Sequence, residues 1–164
     1  LIDPQRPLPA LPTVALDGTA GQLPALKGQW LLISVAGGAC DATCEKHLYL
    51  QRQLREGLGK DKDRLDWVWL VPDDAPVKPE LRPAIQQATV LRVDAARLAQ
   101  WLVPGPGRAL RDHLYVVDPL GNWMMRFPAV NLDAQVDTAS AAKIKRDLER
   151  LMRASASWDQ AGRP

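Results

Sequence analysis

The residues best suited to chemistry are two cysteines, Cys40 and Cys44, which are the only cysteines in the chain. An apolar run at 30–36 and a glycine pair precede them, and an amphipathic stretch follows. This order is typical of a strand that turns into a helix, so the cysteines are expected at the start of that helix. Backbone N–H groups at a helix start favour the thiolate, which attacks disulfides and binds soft metal ions. Cys40, nearer the helix start, is therefore predicted to be the attacking thiol and Cys44 the resolving thiol.

The spacing of this pair allows more than one kind of chemistry. Residues four apart at a helix start have Cα atoms about 6 Å apart, which is within reach of a disulfide bond. Two thiolates at this spacing could also chelate one soft ion, with Cu(I) as the natural match and Zn(II) as an alternative. The competing interpretation is a pair of buried structural cysteines. The glycine turn and the helix start favour an accessible, reactive pair instead.

The two histidines of the chain are the other candidate ligands. His47 follows Cys44 by three residues on the predicted helix, but seven residues of helix place it about 10 Å along the axis from Cys40. We therefore expect His47 to be solvent-exposed or capping rather than a ligand. His113 lies at the start of a predicted strand much further along the chain.

The size and composition are those of an ordinary soluble globular protein. The 164 residues suggest one domain with a substantial core, and the hydrophobic and charged fractions, 46% and 24%, are typical. A net charge of +2 gives no indication of a nucleic-acid partner. The sequence contains no run of about 18 apolar residues that could cross a bilayer. Because the sequence begins at Leu1 rather than methionine, we expect that an upstream segment, such as a signal peptide or a membrane anchor, has been removed.

Hydrophobic periodicity and turn residues divide the chain into alternating strands and helices. Four prolines mark residues 1–12 as an extended leader, residues 13–154 are predicted to form the domain, and residues 155–164 a C-terminal tail. The predicted strands lie at 14–18, 30–36, 65–71, 89–93, 113–117 and 122–127, and the predicted helices at 41–58, 80–88, 95–102 and 138–152. The turn at 118–121 is predicted to join the last two strands as a hairpin.

This order of elements implies a central sheet with helices on both of its faces. The predicted fold class is α/β, and a thioredoxin-like three-layer sandwich with a mixed central sheet fits the order. Such folds carry a cysteine motif after an early strand, at the start of the following helix. His113 then lies on a strand that passes beside the cysteine motif.

Three features of the sequence resemble the Sco/SenC family of cytochrome c oxidase assembly proteins. They are the segment 14–18 followed by 26–33, the Cys-x3-Cys spacing of Cys40 and Cys44, and the strand with an Asp-Pro-x-Gly turn at 115–121. Family members are thioredoxin-like domains that are usually tethered to a membrane and face its oxidising side.

Two positions depart from the family pattern. Glu45 stands where family members usually have a proline directly after the second cysteine. His113 lies closer to the turn than the family's copper-binding histidine does, and Leu110 is nearer the expected place.

The resemblance implies a protein of respiratory oxidase assembly that uses Cys40 and Cys44 for thiol–disulfide exchange, copper delivery or both. His113 would be the third ligand of a Cys2His site for Cu(I) or Cu(II), with Asp112 or a carbonyl orienting its ring. The implied partner is a cytochrome c oxidase subunit or another assembly protein. The implied location is the periplasmic side of the inner membrane, with a tether before Leu1.

Other functions remain open from the residues alone. The chain could be a non-enzymatic copper metallochaperone, or an interaction module whose two cysteines form a static disulfide. A peroxidase fits less well, because residues 41–44 only loosely match the Thr-x2-Cys arrangement around a peroxidatic cysteine. For His113, the alternative to a ligand is a core or rim histidine with one satisfied hydrogen bond.

Overall fold

The computed structural model describes residues 5–129 and 134–163. Within these residues, the regular elements are eight strands that pair into one sheet, three α-helices and four short 3-10 helices. The strands are β1 (Arg6–Pro7), β2 (Pro12–Ala15), β3 (Ala20–Gln22), β4 (Trp30–Val35), β5 (Leu65–Val71), β6 (Thr89–Arg92), β7 (Leu114–Val117) and β8 (Asn122–Arg126). The α-helices are α1 (Ala42–Gly57), α2 (Ala95–Trp101) and α3 (Ala134–Ala154), and the 3-10 helices are Leu23–Leu26, Gly59–Arg64, Pro79–Ile85 and Leu110–Asp112.

The sheet is mixed, with the order β1-β8-β7-β4-β5-β6-β2-β3. Strands β4, β5 and β6 are parallel to one another, and the other neighbouring strands pair antiparallel. All six residues of β4 are buried. Its continuous apolar run is typical of a parallel strand that is covered on both faces.

Alternation along the central strands divides the core into two sides. Leu31 and Ile33 of β4 pack in one cluster with Leu98 of α2, whereas Leu32 packs in another with Leu148 of α3. Successive side chains of a strand point to opposite faces, so α2 covers one face of the sheet and α3 the other. Helix α1 contributes Leu54 to the same cluster as α3. The structure therefore confirms the predicted α/β sandwich.

Three elements differ locally from the predicted ones, and proline and glycine explain two of these differences. The predicted helix at 80–88 is the 3-10 helix Pro79–Ile85, which contains Pro83, a residue that cannot donate the backbone hydrogen bond of an α-helix. The first predicted strand ends at Ala15 because residues 15–19 form a turn, in which Gly18 has a φ of 90°. The final helix starts at Ala134, four residues before the predicted start.

Both ends of the described chain contact the rest of the domain. Near the amino end, β1 pairs with β8, and Leu8 and Leu11 are buried in the core. Near the carboxyl end, Asp159 forms an ion pair with Arg64 at 3.0 Å, and Gly162 N–H donates to Gln29 Oε1 at 2.7 Å. No helix within the described residues is long and apolar enough to span a bilayer.

Candidate functional site

Cys40, in the loop after β4, and Cys44, in the first turn of α1, form a disulfide bond with their Cα atoms 5.1 Å apart. The side chain of Asp41 caps the helix, and its Oδ1 accepts the N–H of Cys44 at 3.0 Å. Cys44 therefore lies inside the first turn, whereas Cys40 precedes the helix. Cys40 has a φ of 47°, in the left-handed region that residues other than glycine rarely adopt.

The two glycines before the disulfide allow a very close approach of a later part of the chain. Gly38 N–H donates to Oδ1 of Asp73 at 3.0 Å, and a Cβ atom on Gly38 would collide with the carbonyl oxygen of Ala75. A Cβ on Gly37 would lie 2.5 Å from Oδ2 of Asp73. Residues 73–78, which we call the covering segment, therefore pack directly on residues 36–41 between β4 and α1, which we call the cysteine loop.

The disulfide is buried rather than accessible. Cys40 is 2% and Cys44 3% exposed, and both belong to a core cluster with Trp69 of β5. Val77 of the covering segment and Leu81, which follows it, are buried in the same cluster. The expectation of an accessible pair is wrong for this disulfide-bonded state, because the chain after β5 folds back over the cysteine loop.

Charged side chains bond the covering segment to the residues around it. Lys78 donates from Nζ to the carbonyl oxygen of Cys40 at 3.2 Å and forms an ion pair with Glu45 at 3.7 Å. Asp73 accepts a second backbone N–H, from Ala75, at 3.1 Å. Arg92 of β6 donates to the carbonyl oxygen of Asp73 at 2.8 Å. The cysteine loop, the covering segment and β6 thus form one connected set of contacts.

His113 is buried, and both of its ring nitrogens are hydrogen-bonded. Nε2 lies 2.9 Å from the N–H of Gly105, and Nδ1 lies 2.8 Å from the carbonyl oxygen of Phe127. Because Gly105 can only donate and the Phe127 carbonyl can only accept, the neutral ring with its proton on Nδ1 satisfies both bonds. A carbonyl oxygen and Asp112 were the two groups predicted to orient the ring. The carbonyl of Phe127 does so, and the Asp112 carboxylate accepts from the N–H of Ala109 instead.

Burial lowers the pKa of His113, since the charged imidazolium loses its hydration inside the protein. The nearby charges of Arg126 and Arg108 act in the same direction. The hydrogen bond to Phe127 and the charge of Asp112 oppose them, and the net shift is downward.

The predicted copper ligands do not form a ready site in this structure. The sulfurs of Cys40 and Cys44 are bonded to each other, and the Nε2 lone pair of His113 accepts from Gly105. Among residues 5–129 and 134–163, no three His, Cys, Asp or Glu side chains gather as a set that could hold a metal ion. The residues as arranged here do not fit copper. His47 was expected to be solvent-exposed or capping; it is 3% exposed, so the first of these two alternatives is wrong.

Sequence reasoning missed the contribution of Asp73 and Lys78. Pro72, Asp73 and Asp74 carry a turn signal, but nothing local indicates that the turn packs on a loop 35 residues earlier. The unusual pair of glycines at 37 and 38 was the available signal, because adjacent glycines permit a close backbone approach.

Comparison with known proteins agrees with this fold. Residues 30–155 match the family described as transmembrane-like, thioredoxin-like, C-terminal domain. The chain belongs to this family. The match runs from the start of β4 to just beyond α3, so the thioredoxin-like domain includes the cysteine loop and the covering segment.

Solved structures with the same fold include Sco/SenC proteins, as the sequence resemblance predicted. A SCO1/SenC family lipoprotein from Bacillus anthracis has a TM-score of 0.59 at 16% identity, covering 92% of this chain and 99% of that one. ScoI from Bradyrhizobium japonicum, solved with copper bound, has a TM-score of 0.52 at 19% identity, covering 83% and 96%. The thioredoxin domain of a thiol–disulfide oxidoreductase from Bacteroides vulgatus has a TM-score of 0.52 at 16% identity, covering 84% and 94%. At these identities the likeness shows a shared fold, and the sequence itself matches no curated protein.

Proposed function

We propose that this thioredoxin-like domain carries out thiol–disulfide exchange through Cys40 and Cys44. The observation that carries the proposal is the disulfide itself, which joins the loop after β4 to the first turn of α1. The left-handed backbone of Cys40 supports it, because strained residues of this kind cluster at functional sites.

The exchange proceeds through a mixed disulfide. An incoming partner thiolate attacks the sulfur of Cys40, forms a new S–S bond to it, and releases Cys44 as a thiolate. A second partner thiolate then attacks the partner sulfur of that bond and releases Cys40. The partner ends with a disulfide, the domain holds two thiols after protonation, and two electrons have passed to the domain. The reverse sequence reduces a partner disulfide, with Cys40 as the attacking thiol and Cys44 as the resolving thiol.

The proposed setting is the assembly of a respiratory oxidase on the periplasmic side of the inner membrane. Support comes from the resemblance of the sequence to Sco/SenC proteins and from the shared fold with a Sco/SenC lipoprotein. The family to which the chain belongs is, in addition, described as transmembrane-like. The proposed partner is a cytochrome c oxidase subunit or another assembly protein, and the proposed tether is a segment upstream of Leu1.

Trapping of the mixed disulfide tests the assigned roles. The reduced Cys44→Ser variant, mixed with a disulfide-bonded peptide, should accumulate a mixed disulfide at Cys40 because no resolving thiol remains. The matched Cys40→Ser variant should accumulate much less. Mass spectrometry of the intact adducts measures both. Equal trapping by the two variants would contradict the assigned roles, and no trapping by either would contradict exchange.

Burial of the pair favours a second candidate, an interaction module with a static disulfide. Cys40 and Cys44 are 2% and 3% exposed, and structural disulfides are commonly shielded from reductants in this way. In that case reduction would occur only when the domain unfolds. The two candidates therefore differ in whether the pair can be reduced in the folded state.

Copper delivery is the remaining alternative, in which copper is the cargo of the protein. A non-enzymatic metallochaperone would deliver copper without exchanging disulfides. Reduction would free two thiolates, which suit Cu(I). His113 could act as a ligand through Nε2 only after losing the hydrogen bond from Gly105. If His113 contributes, His113→Ala should weaken Cu(II) binding more than Cu(I) binding in the reduced domain, measured by competition with a chelator of known affinity.

A further inference from the structure

The positive charge of the chain is concentrated on α3. Residues 143–153 contain five of the 21 Lys and Arg residues and two of the 19 Asp and Glu residues, so this segment carries a net charge of +3. The rest of the chain therefore carries −1, which brings the total to +2. Such an uneven distribution produces a local positive field that the small net charge of the protein does not reveal.

Four of these cations form one stripe along the outer face of the helix. Lys143, Arg146, Arg150 and Arg153 are spaced three, four and three residues apart, which places their side chains on one face. All four are exposed, whereas the other side of α3 is buried through residues such as Leu148. At 1.5 Å per residue, the stripe is about 15 Å long. We call these four residues the basic stripe.

The acidic residues of the same segment offset part of this charge. Asp147 contacts Arg150 at 3.7 Å, but the Arg150 side chain is 70% exposed, and an exposed pair of this kind is weak. Glu149 is half-buried beside the basic stripe. The fifth cation, Lys145, packs against Gly57 at the end of α1 and so lies to one side of the stripe. The outer face of α3 therefore keeps an excess of positive charge.

This face lacks the apolar side chains on which a specific protein interface is built. Ala139 and Ala142 are exposed beside the basic stripe. The exposed large hydrophobic residues among those that the structure describes all lie outside α3, and they are Val14, Tyr49, Val103, Leu120 and Trp158. Specific protein partners dock through buried aromatic or aliphatic side chains at the centre of the interface. An anionic bilayer needs none, because its surface charge attracts Lys and Arg directly.

The basic stripe also lies on the helix next to the strand that receives the amino-terminal part of the chain. Met124 and Met125 of β8 pack in one cluster with α3, and β8 pairs with β1. A tether that continues upstream of β1 would therefore hold this edge of the domain close to the membrane.

We propose that the basic stripe of α3 docks the domain on an anionic phospholipid surface, with its cations beside the lipid phosphate groups. The long Lys and Arg side chains reach the headgroups while the helix itself stays outside the hydrocarbon region. This inference rests on the location given under the proposed function, to which it adds the surface that faces the membrane. It does not depend on thiol–disulfide exchange.

The test is sedimentation of the full chain with vesicles at about 0.1 M salt. Vesicles of equimolar phosphatidylglycerol and phosphatidylcholine should bind the wild type at about millimolar accessible lipid, and vesicles of phosphatidylcholine alone should bind it much less. Raising the salt to about 0.5 M should release the bound protein, because salt screens the attraction.

Single substitutions assign the binding to the basic stripe. Each Lys or Arg close to an anionic surface strengthens binding roughly fivefold, so Arg146→Gln should weaken it about fivefold and Lys143→Gln/Arg146→Gln about 25-fold. Glu149→Gln removes an opposing charge and should strengthen binding by up to about fivefold. The matched control is Arg97→Gln, which removes the same charge from an exposed residue of α2, on the other face of the sheet, and should leave binding unchanged.

Three results would overturn this inference. Equal binding to both kinds of vesicle would mean apolar contact, and equal weakening by Arg146→Gln and Arg97→Gln would mean an effect of net charge alone. Absence of wild-type binding to the anionic vesicles would exclude a lipid surface and leave an acidic protein as the partner of this face. Circular dichroism checks the fold of each variant, and if Arg146→Gln does not fold, unchanged binding by Glu149→Gln has the same force. Vesicle binding without any thiol exchange would overturn the proposed function and leave this inference intact.

Discussion

Cys40 combines a conformation that is rare for its residue type with almost complete burial. Its φ of 47° costs on the order of 1–2 kcal/mol relative to an ordinary backbone conformation. The hydrogen bond from Lys78 and the disulfide to Cys44 hold it there. At this scale the sequence predicted the disulfide well, because the spacing alone places the two sulfurs within reach. It did not predict the burial, because the residues that cover the pair lie more than 30 positions later.

His113 gives a prediction about acid stability. Its pKa in the folded state is below the ordinary value of 6.5, so between these two values the unfolded chain binds a proton that the folded chain does not. The contribution of His113 to stability is therefore complete above about pH 6.5 and is lost as the pH falls below that value. We expect the free energy of unfolding of the wild type to fall between pH 7 and pH 5 more steeply than that of His113→Asn.

Urea unfolding at several pH values measures this difference, and comparison with the variant separates His113 from the other buried histidine, His47. Parallel pH profiles for the two proteins would contradict the neutral, doubly bonded ring described here.

The covering segment is the element that the sequence analysis did not anticipate. Pro72, Asp73 and Asp74 carry a turn signal, and Asp73 lies at a bend, but the close approach of Ala75 to Gly38 is a long-range contact that this signal does not predict. Helix α1 and strands β4 and β5 were predicted nearly to their ends, because their hydrophobic periods are strong and local. Strands β1 and β3 were missed, since they are two and three residues long and lie at the sheet edges.

Gly38→Ala tests whether the covering segment controls access to the disulfide. The added methyl group would overlap the carbonyl oxygen of Ala75, so the segment must move away. We expect a loss of about 1–3 kcal/mol in the free energy of unfolding and faster reduction of the disulfide by a phosphine. The exposed neighbour Ala39 provides the control, because Ala39→Ser should change neither quantity. An unchanged reduction rate in Gly38→Ala would mean that the segment does not limit access.

Helix α3 gives a prediction about packing. Leu148 is fully buried in the cluster formed with α1 and the central sheet. Leu148→Ala should lower the free energy of unfolding by about 2–4 kcal/mol, since it removes buried methyl groups and leaves a cavity. Lys143→Ala, on the exposed side of the same helix, should change it by less than about 0.5 kcal/mol. A change of that small size for Leu148→Ala would place the helix outside the core.

The whole domain is a mixed sheet with helices on both faces, and this architecture followed from the order of elements in the sequence. The position of the cysteine loop after β4 followed in the same way. The structure adds how the site is enclosed, because the bond between Asp73 and Gly38 and the bond between Lys78 and Cys40 join residues that are 35 and 38 positions apart. Such contacts have no local sequence pattern from which to predict them.

The most direct test of the account is a redox titration of the full chain, equilibrated in thiol–disulfide buffers while circular dichroism follows the fold. Alkylation and mass spectrometry measure the reduced fraction. The account predicts one reversible two-electron transition of Cys40 and Cys44, with the domain folded at both ends of the titration. Reduction that occurs only together with unfolding would contradict exchange by this pair and leave a static disulfide.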